Sequence, residues 1–367
     1  MNSQNLPPSG GAPLRPEPAT APATAAPPQT IIVQQPTGGR WQRFVSWFGW
    51  MGFLFCIPII LGMAATYREY FDVTGNIQEK YHSLSKDADD KIAVIDITGV
   101  IMEGDGFVKD QIDRVRDDDK VKAVVVRIDS PGGTITGSDY LYHHLIKLRD
   151  EKKVPLVVSM GSMAASGGYY IAMSVGNQSQ SIFAEPTTTT GSIGVIIPHY
   201  DLSGMLQRLD IKNDSIASHP RKQLLSMTKP ISDEDRQILQ QLVNQSFERF
   251  KETVRAGRPK LAQDPEALDK LATGEIFTGT QAQELGLVDE LGFIEDAIER
   301  VAQMANLDKD DVRVVSYERT PSLVDALAGA QAHSQSWERM ALEWHVPRAY
   351  YILTTLPSLL HTAPPAR

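Results

Sequence analysis

Ser166 stands in the run Gly161-Ser-Met-Ala-Ala-Ser-Gly-Gly-Tyr-Tyr170, a setting suited to a nucleophile. The apolar segment from Val154 to Met160 reads as a buried parallel strand, and Tyr169 to Met173 reads as a helix. Small residues on the turn between them let a substrate backbone come close, and a helix N-terminus favours developing negative charge. A tight packing turn has the same composition, so the run alone leaves both readings open.

A second glycine-rich turn precedes it, Arg127-Ile-Asp-Ser-Pro-Gly-Gly-Thr134, at the end of another predicted strand. Gly132 and Gly133 let backbone N–H groups face a crevice without side-chain obstruction. Both turns fall at carboxyl ends of strands, where open α/β sheets bind ligands. A serine hydroxyl is a poor nucleophile until a base takes its proton. His199 and His219 are candidates for a Ser-His-Asp arrangement. Lys222 is the other candidate, because an unpaired lysine in a dry site loses its proton more readily than one in water. Most lysines are solvated surface charges, and Lys212 and Lys229 lie close by.

The elements that must position these residues are legible from residue 91 onward. Ile92–Ile97, Ala123–Ile128, Leu156–Met160, Ser181–Ala184 and Ile193–Ile197 are apolar runs of strand length. Tyr140, Leu141, His144, Leu145 and Leu148 share one helical face. Ser232-Asp-Glu-Asp235 is a capping-box-like start to a long amphipathic helix carrying Ile238, Leu239, Leu242, Val243, Phe247, Phe250 and Val254. Its stripe is expected in the core or at a subunit contact. Strands alternating with helices predict an α/β core with a parallel sheet and right-handed crossovers.

The ends of the 367-residue chain differ from this middle. Residues 1–43 are rich in Pro, Ala, Thr and Gln and are expected to be disordered. Phe44 to Tyr67 then runs for 24 residues without a charge, long enough to cross a hydrocarbon core of about 30 Å. Trp41, Trp47 and Trp50 at one end and Tyr67 and Tyr70 at the other suit interfacial anchors, which favours an uncleaved transmembrane helix over a signal peptide. Arg40 and Arg43 flank the N-terminal end, whereas Arg68 is followed by Glu69 and Asp72, so the tail belongs in the cytoplasm and the bulk outside. Residues 68–90 are polar and read as a stalk. The tail's net charge of +2, taken from the chain's −9, leaves −11 for the rest, which argues against nucleic acid as a partner. Cys56 is the sole cysteine, so no intrachain disulfide forms. Tyr350 to Leu360 is apolar but short and broken by Pro357, and suits an interfacial segment, a partner-binding segment or a packed tail equally.

Four stretches together resemble the signal peptide peptidase (protease IV) family. They are Asp129-Ser-Pro-Gly-Gly133, Met160 to Tyr170, Thr190-Gly-Ser-Ile-Gly-Val195, and Ala282-Gln-Glu-Leu-Gly-Leu-Val-Asp-Glu-Leu-Gly292, in the family's order across residues 91–305. The resemblance implies a ClpP/crotonase-like fold, with parallel sheet and flanking helices, over residues 91–310. One transmembrane helix (44–67) and the stalk would precede it, and a C-terminal extension (311–367) of unknown role would follow. It implies a Ser-Lys dyad of Ser166 and Lys222, an oxyanion hole from the N–H groups of Gly133 and Gly167, and Ser192 holding the lysine amine. Relatives of the ClpP type carry a triad histidine in the region occupied here by Thr187 to Ser192, which has none, and this favours lysine over His199. The implied activity is a membrane-anchored serine endopeptidase that degrades cleaved signal peptides and similar apolar peptides at the outer face of the cytoplasmic membrane. No metal or other cofactor is implied. Short single-repeat members form homo-oligomers in which serine and lysine come from neighbouring subunits. A non-catalytic oligomeric membrane scaffold of the same fold is the alternative, and an acyl-CoA enzyme of the crotonase type is a more distant one.

Overall fold

A computed structural model describes residues 39–71, 77–319 and 350–352. Residues 1–38 of the tail expected to be disordered (1–43) and the greater part of the extension (320–349 and 353–367) lie outside these residues, as do residues 72–76, whereas residues 40–43 of that tail belong to a helix. The chain divides into two units, at Tyr67 and Arg68, each taken by itself.

The described part of the first unit is helical. Helix α1 (Arg40–Phe71) contains Pro58, and within it Phe44–Ala64 is long and apolar enough to cross a membrane, with a mean hydropathy of 2.0. Its large side chains, Trp47, Trp50, Phe53 and Phe55 among them, are exposed.

The second unit is an α/β domain. Its strands are β1 (Ile77–Leu84), β2 (Asp90–Thr98), β3 (Val121–Ser130), β4 (Gly132–Thr134), β5 (Leu156–Ala165), β6 (Ile182–Ala184), β7 (Thr189–Gly191), β8 (Ile276–Thr278), β9 (Glu290–Leu291), β10 (Val312–Arg319) and β11 (Tyr350–Ile352). The helices of eight or more residues are α2 (Phe107–Asp117), α3 (Ile135–Lys152), α6 (Asp233–Gly257) and α10 (Ile294–Met304). Shorter ones are α4 (Gly167–Ala172), α5 (Ser203–Arg208), α7 (Pro259–Gln263), α8 (Pro265–Leu271) and α9 (Gly279–Glu284).

The sheet order is β1-β10-β2-β3-β5-β6-β9, with β7 beside β5 and β8 beside β7. The pairs from β10 through β9 are parallel, as is β5 with β7; β1 with β10 and β7 with β8 are antiparallel. Both faces of the central strands are covered. Ala93, Ile95, Ile97, Val124, Val126 and Ile128 enter one core, while Ile92, Val94, Ala123 and Val125 enter the other. That two-sided burial is why these strands read as continuous apolar runs. On the first side α3 contributes Leu141, Leu145 and Leu148, and truncating Leu145 or Leu148 to alanine costs about 2–5 kcal/mol. On the second, α10 contributes Ala297, Ile298 and Val301.

Ser232 caps α6 by accepting from Asp235 N–H at 3.1 Å, as its sequence predicts. The apolar stripe divides: Phe250 and Val254 are core, whereas Ile238 and Leu242 are exposed. Three boundaries differ from the sequence reading. Ile193–Ile197 is not a strand; the strand is Thr189–Gly191, and the left-handed backbone of Gly191 (φ 82°) and Ser192 (φ 50°) turns the chain out of the sheet before Ile193. Inside the span read as a stalk, residues 77–84 form the antiparallel edge strand β1. Inside the span read as an extension, β10 lies between β1 and β2, so the sheet continues to Arg319.

Candidate active site

The two glycine-rich turns meet at the carboxyl ends of β3 and β5. From Ile128↔Met160 to Ser130↔Ala164, β3 advances two residues and β5 four, so β5 bulges at Gly161–Met163. Asp129 holds the bulge: its Oδ1 accepts from Ser162 Oγ at 2.6 Å and from Met163 N–H at 3.0 Å. Ser130, fully buried, donates to Gly99 O at 2.6 Å and accepts from Gly132 N–H at 3.1 Å, fixing the turn into β4. Beneath them Arg127 donates to Ser159 Oγ at 2.8 Å and to Glu185 Oε1 at 2.6 Å.

Ser166 is at the apex, between β5 and α4. Its φ of 53° and ψ of −111° are strained for a residue with a Cβ, at a cost on the order of 1–3 kcal/mol. Two bonds hold it there: Ser166 N–H donates to Gly191 O at 2.8 Å, and Ser166 O accepts from Tyr170 N–H at 2.8 Å. Its Oγ is buried and has no hydrogen-bond partner among the described residues. Tyr169 and Tyr170, both fully buried, anchor α4, and Tyr169 donates to Leu287 O at 2.9 Å. Burial pushes the Tyr169 phenol far above its ordinary pKa, so it remains a neutral donor. Helix α4 is only six residues long, so an anion beside Ser166 would meet individual N–H groups rather than a long helix.

Gly133 lies in β4 against Ile101, where a Cβ would sit 1.8 Å from Ile101 O. Gly167 is the first residue of α4, and its N–H is one that a helix leaves without an intrahelical partner. Strand β7 runs parallel beside the end of β5, Ala165 opposite Gly191, with Thr190 Oγ1 donating to Ala164 O at 2.6 Å. Ser192 follows directly, nearly buried, its N–H donating to Glu275 O at 2.7 Å. The second and third motifs are thereby neighbours, and Ser192 stands one residue from the carbonyl that holds Ser166.

The candidate bases lie elsewhere. Lys222 occupies an exposed 3-10 turn (Pro220–Gln223), and its amine has no partner among the described residues. Lys212 pairs with Asp210 at 3.7 Å and Lys229 Nζ reaches Pro220 O at 3.5 Å. Arg221 is engaged with Glu234 at 3.5 Å, and His199 Nε2 lies 3.2 Å from Ser226 O. The segment that precedes Lys222 is apolar and exposed at Tyr200, Leu202, Met205, Leu209, Ile211 and Ile216.

A family profile described as Peptidase family S49 matches residues 148–308. The Synechocystis sp. protein slr0021, described as a candidate protease, is 40% identical over 246 residues, 67% of this chain and 86% of that protein. The chain belongs to peptidase family S49. Protease 4 of Salmonella typhi is 35% identical over 251 residues, and a candidate signal peptide peptidase SppA of Enterococcus faecium is 35% identical over 208. These matches span 66% and 57% of this S49 chain but 39% and 58% of those relatives. Two solved structures of a 1510-N membrane-bound stomatin-specific protease align with TM-scores of 0.40 and 0.39 at 18% and 19% identity. They cover 64% and 66% of this chain and 100% and 98% of theirs; the second is a lysine-to-alanine mutant in complex with a substrate peptide. Membership of S49 makes the chain a serine peptidase, and its sheet is the parallel α/β sheet expected of the family.

The structure brings the turns of Ser166 and Gly167, of Gly133 and of Ser192 to neighbouring strand ends, and the residues that brace them were not singled out from the sequence. Asp129, Ser130 and Thr190 were inside quoted motifs, and their signal was a short polar side chain beside glycine in an otherwise apolar run.

Proposed function

We propose that the chain is a membrane-anchored serine endopeptidase whose Ser166 is activated by Lys222 of a neighbouring subunit in a homo-oligomer. The observation that carries this reading is the state of the two groups. Among the described residues Ser166 Oγ is buried, strained into position and unpartnered, while Lys222 presents an unpartnered amine on an exposed turn that follows a segment with exposed apolar side chains. A buried hydroxyl without a partner is costly. A base arriving from outside the subunit would satisfy it, and docking would cover the apolar arm.

In the reaction, neutral Lys222 takes the Ser166 proton as Oγ attacks the peptide carbonyl. The N–H groups of Gly133 and Gly167 stabilise the oxyanion, at about 3 kcal/mol per donor. Ser192 holds the amine toward Ser166. Lysine returns the proton to the leaving amine, and water, deprotonated in turn by lysine, hydrolyses the acyl-enzyme. No group beyond these residues is required.

Phe44–Ala64 serves as the anchor, and Arg40 and Arg43 favour a cytoplasmic N-terminus, which puts the site on the extracytoplasmic side of the membrane. Cleaved signal peptides and other apolar segments released there are the substrate class that suits this place. The test is cleavage of a signal peptide by the full-length protein, its Ser166→Ala and Lys222→Ala variants, and an equimolar mixture of the two. Both variants inactive with activity regained in the mixture is the expected result. Activity surviving in Ser166→Ala would overturn the mechanism.

A further inference from the structure

Ser166 O accepts from Tyr170 N–H at 2.8 Å, so the strained Ser166 turn is held no more firmly than Tyr170 itself. Helix α4 has six residues, too few to be stable by its own hydrogen bonds. What fixes Tyr170 comes from outside that helix. Its fully buried ring meets Tyr142 of α3 and Phe250 of α6 edge-on, with centroids 5.2 Å apart in each pair. Its hydroxyl donates to Asp139 Oδ1 on α3, and Arg249 Nη2 of α6 donates to the same oxygen at 3.3 Å. Burial, and next the bond to Asp139, hold the Tyr170 phenol far above its ordinary pKa, so it stays a donor at neutral pH.

Asp139 stands six residues after Gly133, the proposed oxyanion donor, and the chain between them is locked. Thr134 N–H donates to Ile101 O at 2.7 Å, Thr134 Oγ1 accepts from Gly137 N–H at 3.1 Å, and Ser138 Oγ donates to Thr134 O at 2.9 Å. The bond from Tyr170 to Asp139 therefore closes a path that runs from Ser166 through α4 and the head of α3 to β4. Apolar contact is non-directional, whereas a hydrogen bond sets a distance and an angle. Of the contacts around the Tyr170 ring, the one to Asp139 is the one that can fix where α4 sits relative to β4.

We propose that Asp139 is a positioning residue for the reaction: by holding the Tyr170 hydroxyl it sets the spacing between Ser166 Oγ and the N–H of Gly133. The proposal rests on the peptidase reading of the site and adds to it a residue that touches neither substrate nor reacting atom. A misplacement of about 1 Å at a reacting centre costs about 100-fold in rate, so a bond remote from the chemistry is enough to govern it. Asp139 borders a cavity of about 430 Å³, together with Thr136, His143 and Ile146, so shortening its side chain opens no closed void.

Tyr170→Phe removes the donor and Asp139→Ala the acceptor, and both are made, singly and together, in the full-length protein. Each single variant is expected to lower kcat for a reporter peptide about 10- to 100-fold, with KM within about twofold of the parent and the thermal midpoint little changed. The double variant falls no further than either single one, because both remove the same bond. Asp139→Asn, whose amide oxygen still accepts from Tyr170, recovers most of the loss. Hydrogen exchange at the amides of residues 166–170 quickens in both single variants and returns to the parent's rate in Asp139→Asn. Losses that multiply in the double variant overturn the proposal, as does a kcat equal to the parent's in Asp139→Ala. So does a raised KM at constant kcat, which would make Asp139 a substrate contact, or a fall in kcat matched by a large fall in midpoint, which would make it a folding residue alone. A parent that cleaves nothing, with exchange that quickens as expected, would keep the brace and sink the peptidase reading. A parent that cleaves, with exchange and kcat unaltered in the variants, would do the reverse.

Discussion

Ser166 N–H donates to Gly191 O at 2.8 Å, and this bond joins the turn that carries the proposed nucleophile to the turn that carries Ser192. Both serines have left-handed backbones, at φ 53° and φ 50°, so two strained residues are held in one place by β5 and β7. Strain of that kind persists where the surrounding structure over-determines it. Replacing Ser192 by alanine keeps the backbone bond to Glu275 and removes only the hydroxyl. We expect kcat to fall about 10- to 100-fold with KM nearly unchanged, because general-base positioning is lost and peptide binding is not. A KM effect with kcat preserved would show that Ser192 contacts substrate instead.

Gly133→Ala is a harsher change. Its Cβ would meet the Ile101 carbonyl oxygen, a backbone atom that cannot swing aside, so β4 must shift from Ile101. An oxyanion donor displaced by about 1 Å is expected to cost at least 100-fold in kcat/KM. The central strands β2, β3 and β5 are untouched, so the thermal midpoint should move by only a few degrees. Measuring both quantities separates the cases: a large loss of midpoint with proportionate loss of activity would mean a packing role alone.

What the sequence disclosed follows from burial. Strands β2, β3 and β5 are covered on both faces, so their apolar runs were unmistakable. Strand β1 (Ile-Gln-Glu-Lys-Tyr-His-Ser-Leu) has one partner, β10, and a largely exposed surface, so it was read as a polar stalk. Strand β10 carried its signal in buried Val312, Val314, Val315 and Tyr317, but lay past the last family motif. The run Ile193–Ile197 has strand composition, yet two left-handed residues before it decide its path, and only Gly191 announces such a backbone by its type. At the site, the motifs put Ser166, Gly133 and Ser192 together because each sits at a strand end. Lys222 sits on an exposed turn, and no local pattern says what it faces.

The fourth motif acts through packing behind the Ser166 turn. Leu287 O accepts from Tyr169, and Asp289 Oδ2 accepts from the N–H groups of Ser181 and Ile182 at 3.0 Å each. Arg258, nearly buried, donates from Nη1 to Asp289 Oδ1 at 2.7 Å. Arg258→Met leaves that carboxylate without its cation, and a loss of about 3 kcal/mol is expected, since removing one partner of a buried pair costs more than the pair is worth. Arg258→Met combined with Asp289→Asn should recover part of it. A double variant no more stable than the sum of the single losses would show that the two residues are not coupled.

His144 on α3 gives the domain a pH dependence of definite sign. Its ring packs on Tyr140 with centroids 4.3 Å apart, and its Nδ1 is buried without a hydrogen-bond partner among the described residues. Burial, and then the charges of Lys109 and His143, hold its pKa below the ordinary histidine value, with Asp113 opposing. As pH falls through about 6.5 the unfolded chain therefore takes up the proton first. Below that point the unfolded state binds more protons than the folded one, so stability declines until the folded imidazole titrates; above it, His144 contributes no slope. His144→Gln should flatten the decline in thermal midpoint between about pH 6.5 and 5.5 and leave the midpoint's pH dependence above 7 as it was. An identical slope in wild type and variant would assign the acid sensitivity to other groups and remove His144 from the account.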